Sequence, residues 1–268
     1  MYDQTLLPHI ISLAKQASAA ILKIYHQETA LEINNKIDNS PLTIADLTAH
    51  AILTEGLKTL TPEYPILSEE SAYIDYTERQ TWQTYWLIDP LDGTKEFIHH
   101  TGEFSINIAL IQNHQPVFGL IYAPITDECA YAIRGVGAFK LTQTGTKTVL
   151  LTHEVSKNTA TVIMSRRHGR KKFLPLMQDF AGYHIIELGS ALKFINIAEG
   201  QADLYPRFGP SGEWDTAAGQ CIVEAAGGKV VDLAGNVLQY NTKDSLLNPE
   251  FIAVGDKNYD WLKFLEKL

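Results

Sequence analysis

Apolar residues divide the chain into stretches of different rhythm. Leu7, Ile10, Ala14, Ala17, Ile21 and Ile24 recur at steps of three and four, with Lys15, Gln16 and Lys23 on other faces. This spacing predicts an amphipathic helix over about 4–26, with Pro8 in the first turns, where a missing N–H is tolerated. Residues 32–41 are polar and turn-rich and read as a mobile loop. A second helix is predicted from near Thr43 to just before Pro62, with Leu53, Leu57 and Leu60 on one stripe. Then the runs shorten. Segments at 65–67, 86–88, 105–111, 117–122, 129–133 and 138–141 are β-prone, and those from 105 onward are separated by turn residues without intervening helices, which predicts an antiparallel meander.

Residues 142–158 are polar and threonine-rich and read as a boundary between an N-terminal α+β domain, 1–155, and a C-terminal α/β domain, 156–268. Beyond it, strand-like 162–164, 184–186 and 202–205 alternate with helical 171–180 and 190–199. A helix over 216–226 stops at Gly227-Gly228. A strand at 251–254 and an amphipathic helix carrying Trp261, Leu262 and Leu265 close the chain.

At 268 residues the chain can be one large α/β unit or two domains. A formal charge of −9 argues against a nucleic-acid polymer as partner, since such binding rests on a basic face. A small anion remains compatible if cations in a carboxylate cluster supply the positive charge. Cys129 and Cys221 have neither disulfide-framework nor zinc spacing, which fits a reducing compartment. The N-terminus lacks a basic n-region and no continuous apolar span follows, so neither secretion nor a transmembrane segment is expected. The reading is cytoplasmic, with peripheral contact to the inner membrane's cytoplasmic face left open, as is the choice between monomer and dimer. There is no Walker-type or Rossmann glycine loop.

The chemistry concentrates where the run Tyr85-Trp86-Leu87-Ile88 ends in Asp89-Pro90-Leu91-Asp92-Gly93-Thr94. Pro90 holds Asp89 extended and denies the ladder a donor, so Asp89 is expected to end the strand. Asp92 returns to the same side, and Gly93 permits positive φ or a close ligand approach. Two carboxylates and the Leu91 carbonyl are hard oxygen donors that suit Mg²⁺, and Thr94 at a helix N-terminus suits a phosphate. A lone D-x-x-D turn is more often a solvated Asx turn. Glu69 and Glu70 end another short apolar run, Asp46 falls in the first turn of the second helix, and Asp215 falls where a helix starts. Taken alone, Glu69 reads about equally as a surface acid or a ligand, whereas Asp46 and Asp215 read better as carboxylates favoured at a helix start.

Three segments taken together change this balance: Ser68-Glu69-Glu70, Asp89-Pro90-Leu91-Asp92-Gly93-Thr94 and Trp214-Asp215-Thr216-Ala217-Ala218-Gly219. They resemble the signature of the Mg²⁺-dependent, lithium-sensitive phosphatases related to inositol monophosphatase. Extended through Lys95-Glu96-Phe97, the central string is most similar to the 3′(2′),5′-bisphosphate nucleotidase branch. The resemblance implies a layered αβαβα sandwich of the inositol monophosphatase and fructose-1,6-bisphosphatase type. It assigns Glu69, Asp89, Leu91, Asp92 and Asp215 to about two or three Mg²⁺, with Glu70 tuning Glu69. It assigns Asp46 and Thr94 to the attacking water. Substrate contacts fall to Glu69, Leu91, Asp92, Gly93, Thr94 and Asp215, and, in the second half, to His168, Ser190, Lys193 and Arg207, with Arg167 departing from the small polar residue often found there.

The function implied is hydrolysis of the 3′-phosphate of adenosine 3′,5′-bisphosphate, with its sulfated analogue as a second candidate substrate, in support of sulfate assimilation. An inositol or sugar phosphatase on the same fold is the alternative. A catalytically idle sensor of metal or nucleotide is a rival of a different class.

Overall fold

The computed structural model describes residues 3–27, 33–35, 41–71, 73–155, 159–166, 170–173, 182–261 and 263. A 3₁₀ turn, Gln4–Leu6, is capped by the Asp3 side chain and leads into α1, Leu7–Tyr25. Its inward stripe of Ile10, Ala14, Ala17 and Ile21 is the one the spacing predicts. The stretch expected as a loop contains a small ribbon, β1 (Ile33–Asn35) paired antiparallel with β2 (Pro41–Thr43). A two-stranded ribbon is joined by main-chain bonds and needs no apolar face, so hydrophobic patterning does not reveal it. Helix α2, Ile44–Leu60, begins with a capping box: Thr43 caps Ala45 N–H at 3.2 Å, and Asp46 accepts the Thr43 N–H at 2.8 Å.

A seven-stranded sheet follows in sequence order: β3 (Ile66–Ser68), β4 (Thr84–Asp92), β5 (Ser105–Gln112), β6 (Gln115–Ala123), β7 (Glu128–Ile133), β8 (Gly137–Leu141) and β9 (Lys147–Leu150). Only β3 and β4 are parallel; the rest form the expected meander. Two short helices interrupt it, α3 (Tyr76–Arg79) and α4 (Thr94–Ile98). Strand β9 lies in the segment read as a polar boundary. It is an edge strand with three of its four residues exposed, so it carries no buried-strand signature.

The second sheet has the order β11 (Tyr183–Glu187), β10 (Ala160–Met164), β12 (Leu204–Arg207), β14 (Phe251–Val254), β13 (Lys229–Asp232). Strand β10 runs parallel to β11 and β12, whereas β14 is antiparallel to both its neighbours. Helices α5 (Arg170–Phe173), α6 (Leu192–Ala198) and α7 (Ala217–Ala225) complete this half. The remainder of the helix predicted over 171–180, and most of the C-terminal helix with Leu262 and Leu265, lie outside the described residues.

Three apolar clusters fix the layering. One joins α1 and α2 to a face of the seven-stranded sheet around Trp86, Ile106 and Phe118. Another fills the space between that sheet's opposite face, α6 and α7, and the second sheet. A third covers the outer face of the second sheet with Phe173 and Trp261. The result is the αβαβα sandwich. The close approach of α7 to β6 requires Gly119, since a Cβ there would lie 2.5 Å from the Ala218 carbonyl oxygen. That approach sets the depth at which the turn before α7 meets the end of β4. Among the described residues no helix is long and apolar enough to cross a membrane.

Candidate active site

Asp89 does not end its strand. Strand β4 continues through Pro90 to Asp92, with Asp89 opposite Asn107 and Asp92 opposite Ser105. Three steps on β4 thus match two on β5, which inserts one extra residue as a bulge. In a regular strand, residues three apart face opposite ways. The bulge restores Asp89 and Asp92 to one face, and it is also where a residue without an N–H does least harm to a ladder. The arrangement is tied by side chains: Ser105 Oγ donates to Asn107 Oδ1 at 3.0 Å, and Asn107 Nδ2 donates to Asp92 Oδ2 at 3.2 Å. The Leu91 N–H donates to Asp89 Oδ1 at 3.0 Å, so the Asx turn exists within the bulge. Gly93 then takes φ 94°, with Glu103 O 3.0 Å from where a Cβ would stand, and Thr94 opens α4.

The other acids arrive from neighbouring elements. Glu69 directly follows β3 and its N–H donates to Ile88 O at 3.1 Å, which places it beside the end of β4. Asp215 ends a 3₁₀ turn, Glu213–Asp215, before α7. It caps that turn, not α7 as the sequence suggests: its Oδ2 accepts Gly212 N–H and Ser211 Oγ, each at 2.9 Å. Glu69, Asp89 and Asp215 each offer a carboxylate oxygen within 4.8 Å of the others.

Crowding and burial act together on these groups. Burial first, then the charges of Glu69, Asp92 and Asp215, hold the Asp89 carboxyl well above its usual range. Burial and Asp215 push Asp92 up to about 7, although Lys193 and the Asn107 bond oppose the rise. Asp215 is pushed up to about 6 by burial and Glu69. Asp92 and Asp215 keep part of their surface open to a cleft. Glu69, Asp89 and Asp215 could hold a cation, with Asp92 close enough to act on Asp89, and an oxygen-only donor set fits a hard divalent ion such as Mg²⁺ better than a softer metal. The Leu91 carbonyl lies beside them and accepts the Thr94 hydroxyl at 3.3 Å.

Asp46 serves the helix cap and faces Thr94 as well. Its Oδ2 takes the Thr43 N–H and, at 2.6 Å, the Thr43 hydroxyl, while Oδ1 accepts the Thr94 hydroxyl at 3.1 Å. Asp46 thus makes both the helix cap and the hydrogen bond to Thr94 that the resemblance implies.

A cleft runs from Asp92 and Asp215 to the second half's loops. Ser190, Lys193 and Arg207 line it, as the sequence reading expects. Lys193 is buried, its Nζ donating to the Ser190 carbonyl and, at 3.3 Å, to Leu188 O; burial lowers it to about 8 against the pull of Asp92. Ser190 adopts φ 49°, a strained backbone for a serine, and the next N–H, that of Ala191, donates to Asp92 Oδ2 at 2.6 Å. Arg207 donates to Ser165 Oγ at 3.2 Å and Pro210 O at 2.8 Å, and its Nε is buried without an acceptor among the described residues. His168 and Arg167 lie outside the described residues. His99 and His114 sit in turns, where the Nδ1–H of each donates to a main-chain carbonyl, of Lys95 at 2.6 Å and of Tyr240 at 2.8 Å.

Sequence reasoning missed Ser105, Asn107, Ser211 and Glu103, and gave Arg166 no role of its own. The first two carry a signal, since polar residues at alternate positions of an otherwise apolar strand are marked for a buried partner. Glu103 carries none. Arg166 stands directly after a predicted strand, a position where ligands of α/β sheets gather.

The chain belongs to the inositol monophosphatase family, whose profile matches residues 3–262. Within it, the chain is 44% identical over 246 residues to the 3′(2′),5′-bisphosphate nucleotidase CysQ of Salmonella typhimurium, covering 92% of this chain and 98% of the relative. It is 42% identical, with the same coverage, to the nucleotidase CysQ of Escherichia coli K12. The crystal structure of CysQ from Bacteroides thetaiotaomicron superposes with a TM-score of 0.83 at 38% identity, over 96% of this chain and 99% of that one.

Proposed function

We propose that the protein is a Mg²⁺-dependent 3′(2′),5′-bisphosphate nucleotidase that removes the 3′-phosphate of adenosine 3′,5′-bisphosphate to give AMP and phosphate. The observation that carries the chemistry is the convergence of Glu69, Asp89, Asp92 and Asp215 beside the Thr94–Asp46 hydrogen bond at one end of the cleft. The relatives' named activity carries the choice of substrate.

Glu69, Asp89, Asp92, Asp215 and the Leu91 carbonyl would hold about two or three Mg²⁺, which supply charge stabilisation to the phosphate and leaving oxygen and acidify a water. The residues of the chain do the rest. Thr94 donates its hydroxyl to Asp46 Oδ1, so its lone pairs can accept a hydrogen bond from the attacking water; as the water's proton passes to Thr94, the hydroxyl's own proton passes to the Asp46 carboxylate. The capping bonds from Thr43 keep the Asp46 carboxylate from rotating away. No side chain caps the N-terminus of α4 after Gly93, which leaves that helix start suited to the phosphate. Arg207, with a buried and unpaired Nε, takes the phosphate that is not cleaved. The partner is a small nucleotide and not a nucleic-acid polymer.

The test is phosphate release with Mg²⁺ from adenosine 3′,5′-bisphosphate, inositol 1-phosphate and fructose 1,6-bisphosphate in parallel. The nucleotide should be the best substrate by kcat/KM. Preference for inositol 1-phosphate would leave a phosphatase but refute the nucleotidase.

A further inference from the structure

Arg166 follows β10 at the mouth of the cleft, with its side chain 42% exposed. Both terminal guanidinium nitrogens donate to Glu103, one of them to Oε1 at 2.6 Å, so the pair is forked. The same carboxylate accepts the Gly189 N–H at 2.9 Å. Glu103 is itself wedged by its main chain: its carbonyl oxygen lies 2.7 Å from where a Cβ on Gly189 would stand and 3.0 Å from one on Gly93. Glu103 therefore sits at the meeting of three segments and cannot shift without moving them.

This arrangement decides what Arg166 can bind. One N–H of each terminal nitrogen is directed at Glu103, whose charge already compensates the guanidinium. Glu187 and Glu96 also act on the guanidinium, so the surroundings repel a second anion. The forked bond fixes the guanidinium plane, and in these acidic surroundings its flat face is the part that suits a ligand without charge. A guanidinium plane stacks on aromatic rings, and a neutral nucleobase brings no charge into the acidic surroundings. Arg207 offers the opposite environment, close to Lys193 and with an unpaired donor. The two arginines thus differ in the chemistry they can receive.

We propose that Arg166, held flat by Glu103, is the platform on which the nucleobase of the substrate stacks, and that Glu103 is the positioning residue for that platform. The inference rests on the nucleotidase reading and deepens it by naming how the base is recognised.

The test compares adenosine 3′,5′-bisphosphate with 1-O-methylribose 3,5-bisphosphate, which keeps both phosphates and lacks the base. In the wild type the ratio of their kcat/KM values should favour the nucleotide by roughly tenfold to a hundredfold, the worth of one stacked base. Arg166→Ala should shrink that ratio about tenfold, through KM more than kcat. Glu103→Ala should shrink it too, and the double variant no further than Arg166→Ala alone. Arg166→Lys, which keeps the charge and loses the plane, should not restore it. Damage to the fold lowers both substrates and leaves the ratio, so misfolding cannot mimic the result. A ratio near one in the wild type, a ratio unchanged in Arg166→Ala, or rescue by lysine overturns the platform. A wild type that prefers inositol 1-phosphate overturns the nucleotidase reading beneath it, and the two failures are distinct.

Discussion

The Thr94 hydroxyl donates to Asp46 across 3.1 Å, joining the turn after β4 to the first turn of α2. Asp46 is at the same time the N3 member of that helix's capping box. Thr94→Val removes the hydroxyl alone, and kcat should fall by roughly a hundredfold or more, the range for a positioned proton acceptor. Asp46→Asn should lower kcat similarly and also lower stability by about 1 kcal/mol through the weakened cap. Steady-state kinetics with thermal unfolding of both variants separates the two effects. Equal loss of stability in both, with kcat intact, would remove the pair from the mechanism.

Asp89 lies at the centre of the carboxylate cluster, so Asp89→Asn should abolish turnover while the fold survives. The loss should reach about 3 kcal/mol or more in transition-state stabilisation, the scale of other preorganised electrostatic contacts. Metal-free Asp89→Asn should be more stable than metal-free wild type, because one of four repelling acids is neutralised. Near-normal kcat in the purified variant would refute its place at the cation.

The cluster sets a pH dependence that metal should reverse. Without metal, Asp92 at about 7 and Asp215 at about 6 lie above the unfolded carboxylate value near ~4. The folded state then binds more protons than the unfolded one, and stability rises as pH falls from 8 through 6. Mg²⁺ requires the ionised form, so its stabilisation should be larger at pH 8 than at pH 6. At a hundredfold excess over Kd the gain is about 2.7 kcal/mol, or roughly 5 to 10 °C in Tm for a chain of this size. Melting curves in chelator and in Mg²⁺ at both pH values give the comparison. Equal increments at the two pH values would contradict it.

Arg207→Ala removes the donor proposed for the uncleaved phosphate. A charge-assisted bond of this kind is worth about 1.5 to 3 kcal/mol. kcat/KM for adenosine 3′,5′-bisphosphate should fall roughly tenfold to a hundredfold, with little change for adenosine 3′-monophosphate. A parallel fall in both substrates would assign Arg207 to the architecture of the Ser165 and Pro210 loops instead.

The legible parts of this chain are those whose physics is local. The stripes of α1 and α2 and the strands of the meander follow from periodicity, and α4 follows from Gly93 before Thr94. The acids at Glu69, Asp89, Asp92 and Asp215 carry the family's signature in short strings. What could not be read depends on pairing across distance. Strand β9 is defined by its neighbour β8 and not by its own exposed side chains. The bulge that turns Asp92 back is a property of the register against Asn107 and Ser105. Glu103 meets Arg166 over 63 residues of intervening chain, and neither residue is unusual in its local string.

The Ala191 amide on Asp92 Oδ2 has a thermodynamic corollary. One carboxylate oxygen is shared between the cation cluster built on the first sheet and the Ser190 loop that follows the second. On the proposed assignment, a cation that drew Asp92 inward would pull on that loop, and a nucleotide that set the loop would also set Asp92. If Asp92 holds the cation and the Ser190 loop the nucleotide, as proposed, the two affinities should be coupled, and coupling of this kind is reciprocal. Whatever factor the nucleotide adds to metal binding, the metal must add to nucleotide binding.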